Sequence, residues 1–202
     1  MTKPLLFGTA NQAKRDHIRA VLKSLPLKIL SLKDLEIDLQ VEETGATPLE
    51  NAAEKARAYH TASGLPVFSI DVGLSVDKFP PNKQPGVFVR RLHGREATDD
   101  EMIAYYTREL ESVGGTSNAT WDLGIVLIVS PDLQFTGTVQ EPTQLTSTPS
   151  NTRIPGAPLS AIQIHPETGT YLSEMTWEKR VQLQNRRDQY IRTFIEQHLN
   201  AL

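Results

Sequence analysis

The stretch from Thr47 to Asp71 constrains the fold more than any other part of the chain. Thr47-Pro48-Leu49-Glu50 marks a helix start. The threonine hydroxyl caps, the proline suits the first turn, and the glutamate three residues on completes a capping box. The helix runs through Ala52, Ala53, Ala56 and Ala62 and stops at Gly64, before Pro66. Its small side chains let it lie close to a neighbouring sheet. Pro66 to Asp71 then reads as a buried strand that ends in Val72-Gly73-Leu74. The same alternation opens the chain. Pro4 to Phe7 is a short apolar strand, Gly8-Thr9-Ala10-Asn11 a tight loop, and Ile18, Val21, Leu22 and Leu25 recur at helical spacing. Leu27 to Leu32 forms a second strand, and Leu35 to Val41 alternates as a strand or extended edge does.

Downstream, Phe79 to Gly86 is a loop, and Thr98-Asp99-Asp100-Glu101 opens a helix with acids in its first turn. Leu123 to Val129 is the most apolar strand, and Gln134 to Val139 pairs with it across Pro131-Asp132. Gln140 to Pro158 is rich in Thr, Ser, Pro, Asn and Gln and reads as a long loop or surface extension. Ser160 to Ile164 is a last strand. Thr176 caps a final long helix whose buried face holds Trp177, Val181, Tyr190, Ile191, Phe194 and Ile195. This order implies an α/β fold, a mixed sheet with flanking helices.

Composition narrows the function. The 202 residues carry a net charge of −3, so the basic excess of a broad nucleic-acid-binding surface is missing. An acidic chain that binds a polyanion must gather its cations into small pockets. There are no cysteines, which excludes disulfides, thiolate zinc sites and cysteine nucleophiles. The histidines show no metal-ligand spacing. No signal segment or apolar stretch long enough to span a bilayer occurs. A cytoplasmic protein with neither a nucleic acid nor a membrane as partner is expected.

Six groups of residues carry chemistry. Thr9, Asn11 and Lys14 sit where a strand passes into a helix, so backbone N–H groups and the helix dipole face an incoming phosphate. Glu42-Glu43-Thr44-Gly45 places acids beside a turn, as a hard cation such as Mg²⁺ requires. Asn51 and Lys55 share one helix face. Asp71 lies at the end of a buried strand, where open α/β sheets bind ligands. Pro85-Gly86-Val87-Phe88 precedes Arg90 and Arg91, and Lys179, Arg180, Arg186 and Arg187 stand on the final helix. Alone, each group but Asp71 reads more readily as a capped helix, an acidic loop, a turn or a solvated charged face, whereas Asp71 favours function because its buried charge needs a cation.

Their order is more telling. T-x-N-x-x-K, then EETGATPLENAAEKA from Glu42 to Ala56, then D-x-G-L-x-V-D from Asp71 to Asp77, then Pro85-Gly86-Val87-Phe88 closely resembles the inosine triphosphate pyrophosphatase family. The resemblance implies a single domain over residues 1–202, an elongated mixed sheet with two lobes around a central cleft, and a homodimer. It implies Mg²⁺-dependent hydrolysis of a nucleoside triphosphate to the monophosphate and pyrophosphate, a house-cleaning activity on aberrant nucleotides. By the resemblance, Thr9, Asn11 and Lys14 bind phosphate, Glu43 and Asp71 bind the metal, and Asp71 activates the water. Asn51, Lys55, Arg91, Arg180 and Arg186 contact the substrate.

The sequence also departs from the family pattern. Where two aspartates and a serine are usual, it has Ile70, Asp71 and Val72. The base-reading motif falls at Ala157-Pro158-Leu159-Ser160-Ala161, with none of its side chains, and the serine-histidine-arginine motif at Gln184-Asn185-Arg186 keeps only the arginine. A site without its hydrogen-bonding groups loses discrimination, so an altered base preference is expected. Two further readings stand beside it: a nucleotide-binding protein of the same fold without catalysis, and an interaction protein that keeps only the fold.

Overall fold

The computed structural model describes residues 2–183 and 186–202, apart from the side chains of Trp177 and Val181. Its main sheet has six strands in the order β2-β1-β3-β6-β7-β8: β1 Lys3–Phe7, β2 Leu27–Leu30, β3 Val67–Val76, β6 Thr116–Ser130, β7 Leu133–Thr146 and β8 Gln163–Ile164. A two-stranded hairpin, β4 Arg91–Leu92 and β5 Arg95–Glu96, stands apart from it. The helices are α1 Gln12–Val21, α2 Pro48–Ser63, α3 Asp99–Ser112, α4 Trp177–Gln182 and α5 Arg186–Gln197. β1 pairs in parallel with β2 and β3, while β7 and β8 are antiparallel. The sheet is therefore mixed, as expected.

The chain divides into two compact units. The first comprises residues 1–72, 123–139 and 184–202. Its core is Leu6, Leu32, Val67, Val126 and Ile128 against Ala52, Ala56 and Tyr59 of α2. Alanines on that face bring α2 close to the sheet. A Cβ added at Gly124 of β6 would lie 2.4 Å from the Leu49 nitrogen, so only glycine fits beneath the first turn of the helix. Thr47 and Glu50 form the expected capping box, and Gly64 ends the helix at φ 65°. That cap contributes about 1 kcal/mol. The second unit comprises residues 73–122 and 140–183. There α3, opened by a Thr98–Glu101 capping box, buries Met102, Ile103, Tyr106 and Leu110.

Several expectations give way. The polar stretch after Gln140 is not a loop at its start, because β7 continues to Thr146. Its threonines and Leu145 suit a strand with one solvated face. The stretch from Ser160 is not a strand until Gln163. Residues Pro158–Ala161 form a buried 3-10 turn instead, packed against α3. Among the described residues Leu35 to Val41 pairs with no strand: Leu35 ends a 3-10 turn, Lys33–Leu35, and Ile37 and Val41 follow as irregular chain, all three packed against the α2 core. The final helix is two helices, α4 and α5. Ile191, Phe194 and Ile195 are buried as expected and Tyr190 partly so. The side chains of Trp177 and Val181 lie outside the described residues. Among the described residues no helix is long and apolar enough to cross a membrane.

Candidate active site

Asp71 is the centre of a charge cluster within the first unit. It does not end its strand: β3 runs on to Val76, because Val72, Leu74 and Val76 continue the apolar pattern through Gly73. The Asp71 side chain is buried, and α2 supplies its partners. Lys55 Nζ donates to Asp71 Oδ1 at 2.7 Å, and Asn51 Nδ2 donates to Asp71 Oδ2 at 3.2 Å. The i, i+4 spacing thus faces inward and not to solvent. Lys55 Nζ also lies 3.2 Å from Glu43 Oε1.

The acidic loop is tied to the same helix. The Gly45 N–H donates to Asn51 Oδ1 at 2.8 Å. The Thr44 N–H and hydroxyl donate to the two Glu54 carboxylate oxygens at 2.9 and 2.7 Å. Asn51 therefore joins Asp71 to the Glu43 loop through both ends of its amide. The structure gives it a positioning role that spacing alone did not reveal.

The phosphate-loop residues approach from β1. The Gly8 N–H donates to the Phe68 carbonyl at 2.8 Å, and a Cβ at Gly8 would meet Ser69 Oγ at 2.3 Å. Thr9 Oγ1 accepts from the Asn11 N–H at 3.2 Å, and Asn11 Oδ1 caps α1 by accepting from the Lys14 N–H at 3.0 Å. Thr9 and Asn11 thus shape the loop, and Lys14 is the residue that adds charge. Desolvation, aided by Lys55, pulls the Lys14 ammonium down to about 8, although Asp71 and Glu43 oppose the shift. Burial first, then repulsion from Asp71, raises the Glu43 carboxyl above its usual value, against the pull of Lys55.

Two carboxylates converging on one ammonium bear on the metal expected from the sequence. Among the described residues no three His, Asp or Glu side chains group to enclose an ion. Mg²⁺ needs no such cage: it takes one or two carboxylates and completes its shell with water and phosphate oxygens. Glu43 and Asp71 are hard oxygen donors held about a common point, and they fit that requirement.

Of the remaining expected residues, Arg91 and Arg180 belong to the second unit and Arg186 to the first. Arg91 is exposed in the second unit, its guanidinium 5.1 Å from the Phe88 ring centroid. Arg180 is buried in that unit and donates to the Leu172 carbonyl. Arg186 is exposed at the start of α5. Its neighbour Arg187 is the one that counts among the charges acting on Lys14. Sequence reasoning preferred Arg186, although the helical repeat Asp188, Ile191, Ile195 held the signal that sets which arginine turns inward. Gln184 and Asn185, where two members of a motif were expected, lie outside the described residues. Ile70 is buried where the family pattern has an acid, and Leu159, Ser160 and Ala161 are buried where a base-reading motif was expected.

Comparison with known proteins identifies the family and the fold. The sequence model of the Ham1 family matches residues 5–188. A dITP/XTP pyrophosphatase of Geobacter sulfurreducens is 40% identical over 109 residues, which is 54% of this chain and 54% of that protein. One of Shigella flexneri is 34% identical over 109 residues, again 54% of each. The chain spans about half the length of the curated relatives it matches. Among solved structures, the Staphylococcus aureus Ham1 protein superposes with a TM-score of 0.73 at 20% identity, over 97% of this chain and 100% of that one. A nucleoside-triphosphatase (dITP/XTP pyrophosphatase) from Mycobacterium abscessus superposes with a TM-score of 0.65 at 23% identity, over 93% and 96%. These likenesses bear out the resemblance read from the sequence and the α/β fold it implied.

Proposed function

This chain belongs to the Ham1 family, and on that premise we propose that it hydrolyses a nucleoside triphosphate to the monophosphate and pyrophosphate. The observation that carries the proposal is the convergence of Lys55 and Asn51 on the buried Asp71 carboxylate, with Glu43 against the same Lys55 ammonium. In this reading Asp71 orients a water for attack on the α-phosphorus and accepts its proton. The bond to the bridging oxygen breaks, and charge builds on the departing pyrophosphate. Lys55 and Lys14 neutralise it, with Arg187 beside them. Asn51 holds Asp71 in line and fixes the Glu43 loop. Glu43 and Asp71 would hold Mg²⁺, which would supply Lewis-acid screening of the phosphate charge. Thr9 and Asn11 present the α1 amides to phosphate, while Arg91, Arg180 and Arg186 enter as substrate contacts through the family resemblance.

The test is release of pyrophosphate from a panel of Mg²⁺-triphosphates, including dITP, XTP and the four common nucleotides. Equimolar monophosphate and pyrophosphate from at least one is expected, with weak preference among bases because the base-reading side chains are replaced. No release from any of them would sink the proposal. The same reading includes a homodimer, a cytoplasmic setting and clearance of aberrant nucleotides. Sedimentation at micromolar concentration tests the dimer. Ile70 and Val72, which replace an acid and a hydroxyl, favour a second reading of nucleotide binding without turnover. Calorimetric binding of a triphosphate that is never cleaved would select it.

Lys14 gives the proposal a pH signature. At pH below about 8 its amine is already protonated and ready for phosphate. Above that value binding must take up a proton, so KM is expected to rise by up to about tenfold per pH unit. Triphosphate ionisation is complete by then, and Lys14→Arg should flatten the profile. The free protein shows the opposite sign. A buried lysine with a lowered pKa costs stability while charged, so that cost is relieved as pH rises from about 8 toward the ordinary 10.5.

A further inference from the structure

The proposed chemistry leaves one buried polar contact unused. His17 Nε2 lies 2.8 Å from Asp188 Oδ2, with the side chains 10% and 3% exposed. His17 sits one turn after Lys14 on α1 and is buried with Ala13, Ile18 and Val21. Asp188 lies in the first turn of α5, where the helix dipole favours a carboxylate. The two helices are in contact, and both bury apolar side chains. An apolar pair of similar volume would join them as well or better, because desolvating a carboxylate is costly. Adhesion alone therefore does not account for a histidine and an aspartate here.

The other carboxylate oxygen supplies a reason. Asp188 Oδ1 lies 3.6 Å from Arg187 Nε, and the Arg187 side chain is only 23% exposed. One carboxylate thus meets a histidine from α1 and an arginine from α5. His17 fixes the carboxylate, and the carboxylate holds the guanidinium by charge, at ion-pair and not hydrogen-bond distance. The arginine so held is the one whose charge is felt at Lys14, a turn before His17. A guanidinium engages phosphate through a planar fork, so its orientation decides what it can bind.

We infer that His17 and Asp188 are positioning residues that hold the Arg187 guanidinium beside Lys14 as a paired receptor for the phosphate chain. The inference rests on the triphosphate reading above and adds the groups that orient its cations. Asp188→Asn keeps the shape and removes the charge, and His17→Gln keeps a donor. Each is expected to raise KM for Mg²⁺-dITP about tenfold with kcat changed less than about twofold. Arg187→Ala gives a similar rise, and adding Asp188→Asn to it raises KM no further. Additive losses, or an unchanged KM in a folded Asp188→Asn protein, would overturn the inference. If Asp188→Asn fails to fold, the same cycle is run with His17→Gln.

Calorimetry with inorganic triphosphate separates the two ways of failing. Should the wild type cleave no nucleotide while Asp188→Asn weakens its binding of inorganic triphosphate, the function proposed above is wrong and the phosphate receptor stands. Cleavage of nucleotide with both ligands indifferent to Asp188→Asn leaves the function standing and removes the receptor.

Discussion

Asp71→Asn is expected to lower pyrophosphate release about 1,000-fold, the range typical for loss of a general base. The cause is specific. The amide cannot accept a proton, and it withdraws one of the two carboxylates that face Lys55. The variant should also be less stable. Breaking a buried ion pair strands its partner, which costs about 3 kcal/mol at the low end. The low end applies because Glu43 still lies 3.2 Å from the ammonium. For a chain of this size that corresponds to a fall in Tm of about 10 °C. The two effects are separable. Adding Lys55→Met removes the stranded ammonium, so the double variant should recover much of the melting temperature and none of the activity. Recovery of activity would show that Asp71 serves the fold and not the reaction. Stopped assays of pyrophosphate paired with thermal melts make both comparisons.

Gly124→Ala is expected to be the most damaging single methyl in the first unit. The added carbon meets the backbone of Pro48 and Leu49 at 2.4 to 2.6 Å, and backbone in a capped helix turn cannot step aside as a side chain can. Relief requires α2 to shift away from β6, at a cost of about 3 kcal/mol. That helix carries Asn51 and Lys55 on the turns that follow. A displacement of about 1 Å at such groups costs on the order of 100-fold in rate. Reduced kcat with a lowered Tm is therefore expected, along with faster hydrogen exchange in the first turns of α2. Gly137→Ala is the informative contrast. Its closest obstacle, at 2.1 Å, is the Tyr190 hydroxyl, the movable tip of a side chain. The smaller loss should fall there. Equal losses would mean that the close approach of α2 is not what fixes Gly124.

The parts of the fold legible in the sequence were those written in local chemistry. The α2 cap, its glycine stop and the apolar runs of β1 and β3 need only a few neighbouring residues to be recognised. What was not legible depended on tertiary context. The polar second half of β7 reads as loop because neither face looks apolar, yet pairing with β8 makes Leu145 a core residue. Ser160 to Ile164 reads as a strand because it is largely apolar, but Ser160 and Ala161 owe their burial to the Pro158–Ala161 turn seated on α3. Gly73 suggested a strand end, and the chain continues through it. The candidate site divides along the same line. Lys55 and Asn51 follow from helical spacing, and Asp71 from an acid in an apolar run. That Asn51 bridges two carboxylate-bearing segments, or that Arg187 and not Arg186 turns inward, depends on contacts between α2 and the Glu43 loop and between α1 and α5. No single window of sequence contains either pair.

Lys55 has one more consequence. Lying between Asp71 and Glu43, its ammonium already offsets part of their charge in the free protein, and Lys14 is a second cation within their reach. The chain thus carries its own internal counterion, and nothing in this cluster obliges it to borrow one from solution in order to fold. On the proposed Mg²⁺ dependence, an ion arriving with the substrate would compete with a tethered amine that never diffuses away. Metal and triphosphate are then best acquired together, since the phosphate chain gives the displaced ammonium a new anion to face. Chelation would silence such a protein without melting it.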